Sequence, residues 1–182
     1  MIEFETFLEQ ILEGYRSSYD VERIEDGGML VATAHLHMSQ GQHVALKEIE
    51  MWSADFDEYV YIYRIPHLTV EQAQKAIQES YDDGFPRIKL EHVSFRHQHM
   101  CTRLVALVIY DDSEEEALKV LRKCKIYQSF QFSLKGWMEV HTAAVCLNEG
   151  EIVSNRYGRE TAKFLKIHVD HYLQHVKPKQ II

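Results

Sequence analysis

Two pairs of metal-ligating side chains lie in the stretch 29–65, each at the spacing of neighbours on one face of a β-strand. His35 and His37 are two residues apart. Glu48 and Glu50, further along the same stretch, have the same spacing. Successive side chains of a strand point to opposite faces, so each pair projects from one side of its strand. Because imidazole and carboxylate together suit zinc, iron or manganese, the four residues are a candidate site for a divalent metal.

Three antiparallel strands are predicted to position these side chains. A turn at residues 40–41 would place Thr33 opposite Glu48, and a second turn at residues 54–55 would place Glu48 opposite Tyr61. One side of the three strands is then apolar and must meet the core. We call the other side the polar face, which carries Thr33, His35, His37, Glu48, Glu50, Tyr59, Tyr61 and Tyr63.

Three interpretations of the polar face stay open. In the first, the polar face is a metal site with the histidines and glutamates as ligands. In the second, it is a solvent-facing side of the sheet, whose tyrosines form cross-strand pairs. In the third, it is a surface for a ligand or a protein partner, since tyrosine rings beside carboxylates offer apolar area with polar tips.

Two further histidine clusters stand outside this stretch. His168, His171 and His175 are three and four residues apart, so they share one face of a predicted helix and are an alternative metal site. A structural role is favoured, because the glutamate of the H-E-x-x-H motif is missing and histidine near a helix C-terminus is stabilised by the helix dipole. The third cluster lies in and near a predicted hairpin loop and is expected to be only polar loop surface: His92, His97 and His99.

Composition disfavours several classes of protein. The 182 residues are 46% hydrophobic, which is typical of a globular chain with its own core. The net charge of −8 disfavours charge-driven binding to nucleic acid or anionic lipid, since either normally shows a basic excess. No segment approaches the roughly 18 consecutive apolar residues of a membrane helix, and the N-terminal MIEFETFLEQ lacks the order of a signal peptide. We therefore expect a cytoplasmic protein with no membrane contact.

Hydrophobic periodicity and turn signals predict an α+β fold. Apolar residues at helical spacing predict helices over 2–16, 69–82, 113–124 and 158–175. Short turns between the predicted strands favour a mostly antiparallel sheet built from β-hairpins. Helices that fall between hairpins are expected to pack on one side of the sheet, in a single domain spanning 1–182.

The order of elements also suggests ββα repeats, a unit of two strands and one helix used three times. Ala73, Ala117 and Ala162 fall at spacings of 44 and 45 residues within the three predicted helices. Ordinary alternation of hairpins and helices produces similar spacings, so internal duplication and simple alternation both stay open.

A family resemblance lies in the last third of the chain. A strand rich in phenylalanine, FQFSL, is followed by a Gly-Trp turn and by a hairpin that ends in N-R-Y-G-R-E. Over about residues 128–165 this order resembles a family of uncharacterised bacterial proteins found in Bacillota and their relatives. The resemblance implies a bacterial, cytoplasmic origin and brings no assigned activity or catalytic residue.

No motif assigns an activity to this chain. A nucleophile elbow, a phosphate-binding glycine loop and a dinucleotide fingerprint are all missing from the sequence. We predict a non-catalytic binding or protein-interaction module without a cofactor, whose partner is another protein or a second copy of the chain in a homodimer. The alternative is a metal-dependent enzyme, a hydrolase or a nuclease-like protein, which uses the histidines and glutamates of the polar face and a divalent metal.

Overall fold

The computed structural model describes residues 1–38, 54–88, 98–133 and 135–175. These ranges contain four α-helices and nine strands, and all four predicted helices are present within a few residues of their predicted bounds. In chain order the elements are α1 Phe4–Arg16, β1 Asp20–Arg23, β2 Leu30–Met38, β3 Ala54–Arg64, β4 His67–Leu68, α2 Val70–Gly84, β5 Gln98–Tyr110, β6 Asp112–Ser113, α3 Glu115–Lys123, β7 Tyr127–Ser129, β8 Trp137–Cys146, β9 Ile152–Ser154 and α4 Arg159–His175.

Seven of the described strands form one mixed sheet in the order β1-β2-β3-β5-β8-β7, with β9 also paired to β8. Most strand pairs are antiparallel, as the sequence predicts. The centre differs, because β3, β5 and β8 run parallel. Parallel neighbours need a crossover connection, and α2 and α3 lie in the two crossovers. The fold is therefore a mixed α/β structure with a parallel centre.

Helices cover both faces of the sheet, so the expected packing on one side is not confirmed. Helices α2 and α3 pack in one core cluster, on the side that we call face A. Helices α1 and α4 pack in a second cluster on the opposite side, face B. The physical reason is visible in β5, where Leu104–Ile109 are all fully buried, so both sides of this strand need an apolar cover. The ββα repeats are not confirmed either, because α4 lies on the other face from α2 and α3.

The prediction that the strand with Glu48 and Glu50 lies between β2 and β3 is wrong. Strand β2 pairs directly with β3, with His35 beside Tyr59, and the other edge of β2 is occupied by β1. A strand has only two edges for hydrogen bonding, so no strand can lie between β2 and β3. Glu48 and Glu50, which were placed on that strand, lie outside the described residues. The predicted alternation is confirmed, since Ala32, Ala34, Val60 and Ile62 are buried in the core of face B.

Local capping explains where two of the helices begin. The side chain of Glu3 accepts hydrogen bonds from the backbone N–H groups at the start of α1. Thr69 and Gln72 form a capping box at the start of α2. None of the helices in the described part of the chain has the length and apolar character needed to cross a membrane.

One edge of β8 is closed by a single side chain. Strand β7 pairs with residues 137–139 of β8, and β9 pairs with residues 143–145. Asn155 lies between these two pairings, is 2% exposed and bonds the backbone of β8. Its Oδ1 accepts from the N–H of Thr142 at 3.1 Å and its Nδ2 donates to the carbonyl of Val140 at 2.9 Å. Asn155 thus continues the hydrogen bonding of the sheet where no strand is paired.

Candidate functional site: a cleft on face A and a charged row on face B

His35 and Tyr59, two residues of the predicted polar face, form one wall of a cleft on face A. They are cross-strand neighbours on β2 and β3, and their rings stack at 4.2 Å between centroids with 4° between planes. Stacking of directly opposed side chains is a common stabilising contact in antiparallel pairs. The stack fixes the position of the His35 ring beside the phenol of Tyr59.

Both histidines of the polar face engage a carboxylate that sequence reasoning missed. His35 Nε2 lies 3.2 Å from Asp57 Oδ1, and His37 Nδ1 lies 2.8 Å from the same oxygen. Asp57 lies two residues before Tyr59 on β3 and therefore on the same face of the strand, which is the signal that could have identified it. Within the ranges that the structure describes, no group of three or more side chains has the arrangement of a metal site. The metal site with Glu48 and Glu50 stays a prediction, because those two residues are outside these ranges.

Two of the three predicted tyrosines are covered by helix α2. Tyr61 is 4% exposed and its hydroxyl donates to Asp83 Oδ2 at 2.7 Å. Tyr63 is fully buried, with its hydroxyl 3.0 Å from the Ser80 hydroxyl. Burial raises the pKa of Tyr61 well above the ordinary phenol range, and the Asp83 carboxylate raises it further. The tyrosine hydroxyls therefore stay protonated and neutral.

Asp83 and Arg87 close the cleft at the C-terminal end of α2. Arg87 donates from Nε to Asp83 Oδ2 at 2.8 Å and from Nη2 to Oδ1 at 3.0 Å. This forked contact holds the pKa of Asp83 below its usual value, with the Tyr61 hydroxyl adding to the effect. The Arg87 guanidinium also lies 5.8 Å from the centre of the Tyr59 ring. The charge of Arg87 is thus compensated by Asp83.

The cleft enclosed by these side chains has a volume of about 240 Å³. Strand β1 contributes Asp20 and Glu22, which are opposite His35 and Thr33 in the register and share their face. Neither carboxylate has a hydrogen-bond or ion-pair partner among the described residues. The lining therefore carries three carboxylates against one guanidinium, with a neutral phenolic floor.

The histidines of the last helix do not join this cleft. His168 lies on face B, where Gln10 of α1 donates to its backbone carbonyl at 2.9 Å and its ring contacts Phe164. Burial lowers the pKa of His168. His171 and His175 contact each other, with ring centroids 4.6 Å apart. In the third histidine cluster, His92 and His97 lie outside the described residues, so the expected role of this cluster as polar loop surface stays a prediction.

A row of charged side chains crosses face B, and sequence reasoning missed it. Glu58 of β3 is beside Arg103 of β5, and Arg103 is beside Glu139 of β8. Glu58 lies two residues before the core residue Val60 and on the same face of β3, so the row lies on the side of α1 and α4. Its signal in the sequence is a charge at a core-facing position of an otherwise apolar strand, as in T-R-L-V-A-L-V-I.

Comparison with known proteins identifies a family and no characterised relative. Neither the curated proteins nor the solved structures include one that matches this chain. A family model described as a domain of unknown function, DUF8052, matches residues 3–167. This match confirms the predicted membership of an uncharacterised domain family and extends it well beyond residues 128–165. The chain belongs to this family, DUF8052.

Proposed function

We propose that this domain is a binding module whose cleft on face A takes a small cationic ligand that carries an amine. The observation that carries the proposal is the pair of carboxylates on β1, Asp20 and Glu22, which have no partner among the described residues and line a cleft with a phenolic floor. An ammonium group donates three hydrogen bonds and needs acceptors of this kind.

The rest of the cleft supports the same class of ligand. Arg87 does not oppose a cation, because its charge is held by Asp83 in two short hydrogen bonds. The neutral hydroxyls of Tyr59 and Tyr61 can accept as well as donate. The volume of about 240 Å³ lies at the small end of ligand sites and suits a short aliphatic amine.

The experiment is a calorimetric titration of the full chain with 1,4-diaminobutane. Asp20→Asn and Glu22→Gln each remove one acceptor charge and nearly keep the side-chain shape. Both side chains are exposed, and an exposed charge pair contributes about 0.5–1 kcal/mol, so each variant should weaken binding about two- to fivefold. Glu25→Gln is the matched control, since it removes an exposed carboxylate of the turn after β1 and should leave the affinity unchanged.

Two outcomes contradict the proposal. One is the absence of measurable binding by the unaltered chain. The other is an equal loss of affinity in the control variant, which would show that the net charge of the chain, and not the cleft, determines binding of the diamine.

The metal-dependent enzyme remains the rival proposal, and elemental analysis separates the two. A binding module of the kind proposed keeps its melting temperature when zinc or manganese is added. Stoichiometric metal in the purified protein, lost in His35→Ala, would favour the enzyme.

We also propose a bacterial origin, a cytoplasmic location and a single domain, on the strength of the sequence resemblance and composition. A homodimer is a further proposal. Its surface must lie away from Tyr61 and Tyr63, because both rings are buried beneath α2.

A further inference from the structure

We propose that the charged row of Glu58, Arg103 and Glu139 on face B is a second binding site, which takes a small zwitterion such as a free amino acid. Arg103 would bind the carboxylate of the ligand, and one of the two glutamates would bind its ammonium group. This site does not depend on the proposed function of the cleft, which lies on the opposite face of the sheet.

Among the described residues, Arg103 has only long contacts with its two carboxylate neighbours. Its Nη1 lies 3.5 Å from Glu58 Oε2, and its Nε lies 3.7 Å from Glu139 Oε1. Charge-assisted hydrogen bonds are normally about 2.7–2.9 Å long. The Nε atom is buried without a hydrogen-bond partner among the described residues. The ion pair between Arg64 at the end of β3 and Asp111 closes to 2.6 Å between Nη2 and Oδ2, so this fold does form tight ion pairs.

The two carboxylates are held in place by groups other than the arginine. Tyr19 donates its hydroxyl hydrogen to Glu58 Oε1 at 2.8 Å. His141 Nε2 lies 2.8 Å from Glu139 Oε1, and the imidazole is nearly fully buried. Each glutamate is therefore oriented before a ligand arrives, which is the arrangement expected of a preformed binding site.

Arg103 is held from a different direction and still reaches solvent. Its guanidinium lies 4.9 Å from the centre of the Phe56 ring, a cation–π contact. Its side chain is 32% exposed, against 13% for Glu58 and 15% for Glu139. Arg103 is therefore the member of the row that a small molecule reaches most easily, by the part of its side chain other than the buried Nε atom.

The charge pattern selects the class of ligand. Partly buried charges without complete partners are costly, and an apolar row would stabilise the sheet better. A carboxylate that approached alone would meet two like charges. An amine alone would bind the same two carboxylates and give the guanidinium no acceptor closer than they are. A molecule that carries both groups gives Arg103 the planar acceptor that fits its fork and gives a glutamate a donor.

The test is a titration of the isotopically labelled full chain, followed by NMR. The twenty common amino acids are first compared by their effect on the melting temperature. The best of them is then titrated beside propionate, which lacks the ammonium group, and ethylamine, which lacks the carboxylate. We expect the amide signals of Glu58, Arg103 and Glu139 to shift with the amino acid, and at least tenfold weaker binding of both truncated probes at these signals. Shifts at Glu22 and Thr33 report the cleft instead, so failure of one site is distinguishable from failure of the other.

Two variants locate the binding in the row. Arg103→Lys keeps the charge and loses the fork, and Glu139→Gln keeps the shape and loses the charge, so each should weaken the amino acid at least tenfold. Arg122→Lys, which alters a surface ion pair with Glu151, is the control and should bind normally. Far-ultraviolet circular dichroism checks that each variant is folded, and Glu58→Gln replaces any that is not. The proposal is overturned if no amino acid shifts these signals, if propionate binds as tightly, or if the folded variants bind like the control.

Discussion

Replacing Asn155 with alanine should destabilise the fold more than the same change at Asn148, the other asparagine of the chain. Asn155 makes four side-chain hydrogen bonds. Its Oδ1 accepts from the N–H groups of Thr142 and Gly158, at 3.1 and 2.7 Å. Its Nδ2 donates to the carbonyls of Cys124 and Val140, at 3.0 and 2.9 Å. Alanine would leave four backbone groups without their partner.

The size of the effect follows from these four bonds. Each contributes about 1 kcal/mol net, and a buried group left unpaired costs about 1–3 kcal/mol. Water entering the space left by the amide would recover part of this loss. We therefore expect Asn155→Ala to lower the free energy of unfolding by about 3–5 kcal/mol, a large part of the stability of a typical domain.

Urea unfolding followed by circular dichroism measures this difference. The matched control is Asn148→Ala, because Asn148 is exposed and makes a single hydrogen bond, to the carbonyl of Asp111 at 2.9 Å. The control should lose less than about 1 kcal/mol. A loss in Asn155→Ala no larger than that in the control would refute the role given to Asn155 at the edge of β8.

Three further predictions concern other contacts. Gly158→Ala should lower the free energy of unfolding by about 1–3 kcal/mol, because an added Cβ would lie 2.3 Å from the carbonyl oxygen of Thr142; urea unfolding measures it. Arg87→Gln should raise the pKa of Asp83 toward its ordinary value of 3.8, seen in a carboxyl NMR titration. Since the folded pKa is depressed, the stabilisation by Arg87 exists above that ordinary value and disappears as the pH falls through the folded pKa, so the two proteins should converge in acid. Tyr172→Phe should lower the free energy of unfolding by about 1 kcal/mol, measured by thermal unfolding, because the Tyr172 hydroxyl accepts a 3.0 Å hydrogen bond from the backbone N–H of Glu3, the residue before α1.

The helices and the alternation of the strands could be predicted from the sequence because both are local signals. The 3.6-residue period of apolar residues placed α2 correctly. The parallel centre could not be predicted in this way. The long apolar run of β5 is typical of a strand covered on both faces, but which strands lie beside it is decided by long-range pairing.

Half of the candidate site was accessible to the same reasoning. The parity of His35, Tyr59 and Tyr61 placed them on one face, as observed. Asp83 and Arg87 reach this face from a helix whose position depends on tertiary packing, so no spacing in the sequence connects them with β3. The predicted register of the three antiparallel strands failed because β2 pairs directly with β3, and the alternation of side chains does not determine which strands are neighbours.

The most direct test of the central claim, an amine-binding cleft on face A, is an NMR titration of the labelled chain with 1,4-diaminobutane. We predict saturable shifts at the amide signals of Asp20, Glu22, Thr33 and Tyr59, with the signals of face B unchanged. Shifts that do not saturate, or that spread over exposed carboxylates such as Glu25 and Glu71, would contradict the claim.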